Sequence, residues 1–106
     1  MVQMDSDKSI PEAVFDSAAQ VLRVLAHPQR LRMVDFLLRQ PVAVGELAVA
    51  LKLAPAAVSQ HLNHMRAHGI VDGKREGRIV RYEVVNANAK QLIACLRKYG
   101  DGCCGK

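Results

Sequence analysis

The sequence predicts a mainly α domain with one β-hairpin: about five helices and two antiparallel strands in a single unit over residues 1–106. Three observations predict it. Apolar residues recur at helical spacing in five separate segments. One stretch around residue 80 alternates apolar and polar instead. Pro28, Pro41, Gly69 and Gly100 mark where segments start or stop.

The first helix is expected over residues 11–26. Ser9 stands where a cap belongs, Pro11 suits the first turn, and Glu12 favours the positive end of the helix dipole. Val14, Ala18, Val21, Leu22 and Leu25 share one face. His27-Pro28 interrupts, because proline disfavours helix in the residue before it. Pro28 then opens a second helix to about Arg39, with Leu31, Val34, Leu37 and Leu38 inward and Arg30, Arg32 and Arg39 expected to stay wet. A short third helix runs from Val44 to Leu51, and Lys52-Leu53-Ala54-Pro55 makes a turn. The fourth helix is expected from Ala56 to His68, stopped by Gly69. Val80, Tyr82 and Val84 alternate with Ile79, Arg81 and Glu83, so two strands join around Glu76-Gly77. Asn86 or Asn88 caps a fifth helix reaching Tyr99, with Ala89, Leu92, Ile93 and Leu96 on one side. The ends are read as tails: an acidic one over residues 1–9 and a glycine- and cysteine-rich one over 101–106.

Charge sets the class of partner. Asp5, Asp7, Glu12 and Asp16 against Lys8 leave the first 20 residues at −3, so the remainder carries +8 of the net +5. A basic body behind an acidic tail suits a polyanion. No apolar run approaches the ~20 residues that a bilayer crossing needs, and residues 1–9 do not resemble a secretory signal. The expected location is cytoplasmic, where Cys95, Cys103 and Cys104 stay mostly reduced.

The fourth helix carries the chemistry. Val58, Leu62 and Met65 form its inward side, so Ala56, Gln60, Asn63 and Ala67 project outward, flanked by Ser59 and His64. Small and amide side chains suit a surface pressed into a major groove, where Gln or Asn pairs bidentately with adenine. Ser59 and His64 are better placed for phosphates. An ordinary solvated helix face mixes both signs of charge, yet no acidic residue occurs from Ala56 to Ile70. The hairpin adds Lys74, Arg75, Arg78 and Arg81, suited to phosphates or the minor groove. Two helices joined by a short turn, followed by a basic hairpin, form a winged helix-turn-helix whose second helix reads DNA.

Leu25-Ala26-His27-Pro28-Gln29-Arg30-Leu31-Arg32, Val58-Ser59-Gln60-His61-Leu62 and Arg75-Glu76-Gly77-Arg78 with Tyr82 resemble the ArsR-type family of winged-helix repressors, over about Ala18 to Tyr99. The resemblance implies a homodimeric repressor that leaves a palindromic double-stranded operator when an inducer binds. Members sense metals, arsenite, oxidants or reactive sulfur, and some sense nothing known. His27 departs from the family, which more often has a better N-cap there, and Ala56 replaces a frequent serine, removing one phosphate contact. Dimerisation also has a physical basis: the stripes of the first and last helices exceed what one small core needs, which assigns Val14, Ala18, Val21, Leu92, Ile93 and Leu96 to a two-fold interface.

An inducer site is harder to place. His61, His64 and His68 share a flank, a spacing that zinc or nickel can use, but the stronger reading is two surface histidines on a DNA-facing helix and one near its end. The family's Cys-x-Cys site before the turn is absent, since residues 43–47 read Ala-Val-Gly-Glu-Leu. Its carboxylate and histidine site on the last helix is absent too, since that helix offers Asn86, Asn88, Gln91 and Tyr99. There remain Cys95, Cys103 and Cys104. Three soft thiolates suit arsenite or antimonite. Oxidation of Cys95 against a tail cysteine is the alternative, adjacent cysteines being poorly spaced to pair, and an inert set is the third. No cofactor is otherwise expected. A protein-interaction module without DNA binding competes as a second class of function. A cysteine enzyme does not, because no cysteine has a committed base and no glycine-rich loop cradles a phosphate.

Overall fold

The computed structural model describes residues 9–100. Seven elements follow in order: α1 (Glu12–Leu25), α2 (Pro28–Arg39), α3 (Val44–Leu51), α4 (Pro55–Ala67), β1 (Val71–Glu76), β2 (Ile79–Val84) and α5 (Ala87–Lys98). The helices and the hairpin are those expected, with their ends set by local chemistry. Ser9 does not cap α1: Pro11 is the N-cap and makes no side-chain bond, so the helix starts one residue later than expected. His27 does cap α2. Its Nδ1 accepts from the Gln29 backbone N–H at 3.2 Å, with Pro28 in the first turn where its missing N–H costs nothing. The Glu46 carboxylate reaches back to the Ala43 N–H and secures the start of α3. Pro55 rather than Ala56 begins α4. Asn86 Oδ1 accepts from Ala89 N–H at 2.9 Å, which settles the choice between Asn86 and Asn88.

The core is aliphatic, because aromatic residues are scarce. Leu25, Met33, Leu37, Leu47, Val58, Leu62, Met65 and Ile70 are buried, and every helix contributes. α2 lies at the centre, touching α1, α3, α5 and β2. No polar or charged residue is buried among the described residues. The stability therefore rests on area removed from water, at roughly 25 cal/mol per Å² of apolar surface.

The hairpin is antiparallel, pairing Val71 with Val84 through Glu76 with Ile79. Gly77 has φ +66° and Arg78 does not follow it into that region, the pattern of a type II′ loop matched to strand twist. A Cβ on Gly73 would stand 2.8 Å from Val80 Cγ1 and 3.3 Å from the Tyr82 ring, so only glycine lets the two strands close there. The α2–α3 connection adds a bridge: Tyr82 N–H donates to Val42 carbonyl oxygen at 2.8 Å and seats the hairpin on the helical body.

Candidate nucleic-acid interface

α3 and α4 meet through a tight turn. Lys52 takes the left-handed conformation at φ 59°, and Leu53 N–H closes on Ala48 carbonyl oxygen at 3.0 Å. This reverses the chain within a few residues, so that α4 leaves α3 at once. Val58, Leu62 and Met65 are each fully buried, which fixes the rotation of α4 about its axis. Ala56, Gln60, Asn63, His64 and Ala67 are consequently exposed, and Ser59 is half-buried. The outward stripe is the one expected from the helical period, and α4 carries no carboxylate.

The hairpin's cations are not equivalent. Lys74, Arg75 and Arg78 are exposed. Lys74 sits 3.6 Å from Glu83 in an ion pair largely open to water, and Arg75 reaches the Gly77 carbonyl oxygen at 3.4 Å. Among the described residues, Arg78 has no hydrogen bond or ion pair. Arg81 lies on β2 rather than at the tip. Its Nε donates to Glu76 Oε1 at 2.8 Å, and Nη1 lies 3.6 Å from Glu46 Oε1. Glu46 thereby both caps α3 and ties it to the hairpin, a double role that the sequence pattern does not reveal.

Arg30 is not wet as expected. It is half-buried, donating from Nη1 to Val24 carbonyl oxygen at 2.9 Å and from Nε to His61 Nδ1 at 3.2 Å. His61 lies below the ordinary histidine pKa, first because of burial and then because of His27, Arg30 and His64 nearby. His64 is also lowered, by partial desolvation and then by Arg30 and His68. No group of three or more His, Cys, Asp or Glu side chains among the described residues is arranged to hold a metal ion. The histidine trio therefore does not converge.

The residues assigned to a two-fold interface divide into two sets. Val21 and Ile93 are buried within the chain itself, Ala18 and Leu92 are half-buried, and Val14 and Leu96 are exposed. Phe15 and Leu22, 54% and 52% exposed, extend the open apolar surface of α1, with Tyr99 at the end of α5. Phe15 was not singled out from the sequence, because it lies just beside the stripe that counts as inward in a single core. Cys95 is an exposed free thiol on α5. Cys103 and Cys104 lie outside the described residues.

A helix pair with a tight turn, an outward polar and uncharged face on its second member, and a basic hairpin beyond it make this a winged helix-turn-helix, the fold of DNA-binding transcription regulators. Comparison with known proteins narrows the class. The profile of the bacterial regulatory protein arsR family matches residues 27–72, from the α2 cap into β1. The HTH-type transcriptional regulator YgaV of Escherichia coli is 33% identical over 87 residues, covering 81% of this chain and 88% of that protein. The HTH-type transcriptional repressor SmtB of Mycobacterium tuberculosis is 36% identical over 83 residues, 78% of this chain and 62% of the repressor. Among solved structures, the homodimeric winged helix-turn-helix DNA-binding domain Mb0332 of Mycobacterium bovis superposes with a TM-score of 0.73 at 26% identity, over 97% of this chain and 93% of that one. The chain belongs to the ArsR family of transcriptional regulators. No helix among the described residues is long and apolar enough to cross a membrane.

Proposed function

We propose that the chain is a homodimeric, cytoplasmic repressor that binds a palindromic DNA operator and has no enzymatic activity. The observation that carries this reading is the exposed, acid-free face of α4, held outward by three fully buried residues. Gln60 and Asn63 read base edges in the major groove, with Ala56 allowing close approach and Ser59 and His64 at the groove's phosphate walls. Lys74, Arg75 and Arg78 grip phosphates beside it. The SmtB relative is itself described as a repressor, and the Mb0332 domain as homodimeric.

The two-fold is formed by the open face of α1 and α5, centred on Val14, Phe15, Leu22 and Leu96, which are apolar and exposed in the single chain. Val21 and Ile93 support it from beneath. Pairing there sets two copies of α4 about 34–36 Å apart, one turn of DNA. The proposed inducer is a thiophilic ion such as arsenite or antimonite held by Cys95, Cys103 and Cys104, with Cys95 open to solvent on the helix that forms the two-fold.

The experiment is selection of bound duplexes from a randomised pool by the reduced protein. Recovery of inverted half-sites spaced by one helical turn is expected, and failure to retain any duplex in dilute salt overturns the reading. Arsenite added to the complex is expected to release wild-type protein but neither Cys95→Ser nor the Cys103→Ser/Cys104→Ser double variant. Equal release of all three overturns the thiol assignment alone.

A further inference from the structure

All four histidines of the chain lie along one ridge. His27, at the elbow between α1 and α2, meets His61 of α4 edge to face, with ring centroids 4.7 Å apart. One turn further on, His64 and His68 stand 4.8 Å apart. Between the elbow and α4 lies Arg30, whose two donors leave in different directions. Nη1 satisfies the Val24 carbonyl oxygen, one of the last of α1 and without a partner inside that helix. Nε bonds His61 Nδ1.

This contact joins parts of the fold that otherwise meet little. α1 packs on α2 and α5, whereas α4 packs on α3 and β1. The guanidinium spans them with a rigid fork that a lysine cannot reproduce. It also dictates the form of the imidazole: an Nδ1 that accepts a hydrogen bond carries no proton, so His61 is the neutral Nε2–H tautomer. His27 is constrained alike, since its Nδ1 accepts from Gln29 N–H. A proton on the His61 ring removes its Nδ1 acceptor and sets a cation beside Arg30.

We propose that Arg30 and neutral His61 form an acid-sensitive bridge that positions the DNA-reading helix α4 against α1, and so sets its register relative to the two-fold. The bridge deepens the function proposed above and rests on it. It is a positioning device, since neither residue need touch DNA. The groups facing His61 are His27 at the elbow, Arg30 on α2 and His64 on its own helix. All of them disfavour added charge on His61, as does its burial. The folded chain therefore holds His61 below the ordinary histidine value of 6.5. The contribution of the bridge is complete above that value and is lost as pH falls through the lower folded one.

The test measures operator affinity by fluorescence anisotropy at about pH 7.5 and about pH 5.5 for wild type and His61→Asn, which offers an acceptor near the Nδ1 position but takes no proton. The other three histidines are present in both proteins, so the ratio of the two isolates His61. Wild type is expected to lose severalfold more affinity on acidification than His61→Asn, because only wild type has a bridge that a proton can break. Parallel pH profiles overturn the proposal. A second readout needs no DNA: ¹⁵N resonances of the imidazoles are expected to show His61 as the Nε2–H tautomer, titrating below the ordinary value. An Nδ1–H tautomer overturns the bridge. Absence of binding by wild type at the higher pH would instead count against the DNA-binding reading, and the imidazole titration would still decide the bridge.

Discussion

Arg78 and Arg81 carry the same charge three residues apart, but the fold prepares them for different tasks. Arg81 is held between Glu76 and Glu46, whereas Arg78 at the hairpin loop has no partner among the described residues. Each phosphate neutralised by a bound cation contributes about 0.9 to the slope of log affinity against log salt. In a dimer, Arg78→Ala removes two such contacts, so the slope becomes shallower by about 1.8. At about 0.15 M salt the same relation costs each contact a factor near 5.5, and the pair roughly 30-fold in affinity. Arg81→Ala is expected to change the slope by less than about half of that, because its charge is already spent on two carboxylates. Fluorescence anisotropy with a labelled operator across a salt series measures both slopes. If Arg78→Ala leaves the slope of wild type intact, or if Arg81→Ala flattens it as much, the assignment of the hairpin's cations is wrong.

Three further outcomes are expected. Leu62→Ala empties a fully buried position beneath α4 and should cost about 2–5 kcal/mol in urea unfolding; a loss under about 0.5 kcal/mol would show that α4 is not anchored there. Phe15→Asp or Leu22→Asp places a carboxylate on the open face of α1 and should yield monomers by sedimentation, with the fold retained by circular dichroism. Gly73→Ala drives a methyl to 2.8 Å from Val80 Cγ1 and should destabilise the hairpin by about 1–3 kcal/mol, read as lost protection of its amides in hydrogen exchange while the α2 core stays protected.

Much of the architecture was legible because one physical signal dominates it. Val58, Leu62 and Met65 sit at helical spacing with nothing polar between them on that side, so both the inward and outward faces of α4 follow from the period. Lone contacts between distant segments leave no such trace. The link from Arg30 to His61 joins residues 31 apart in sequence, and the Glu46–Arg81 pair joins a helix start to a strand. A local pattern therefore reads both arginines simply as exposed charge. Helix starts failed for the opposite reason: Ser9 has the right chemistry for a cap, but Pro11 with ψ 148° already leaves the helical region, and the helix begins after it. The open face of α1 was only half visible, because Val21 and Phe15 look alike as apolar residues until the core shows which of them it has room for.

The central claim is that α4 enters the major groove, and dimethyl sulfate protection of guanine N7, an atom exposed only in that groove, tests it most directly. The expected footprint is two protected patches about 10–10.5 base pairs apart. A fully bound operator whose guanines react as in free DNA would contradict the account.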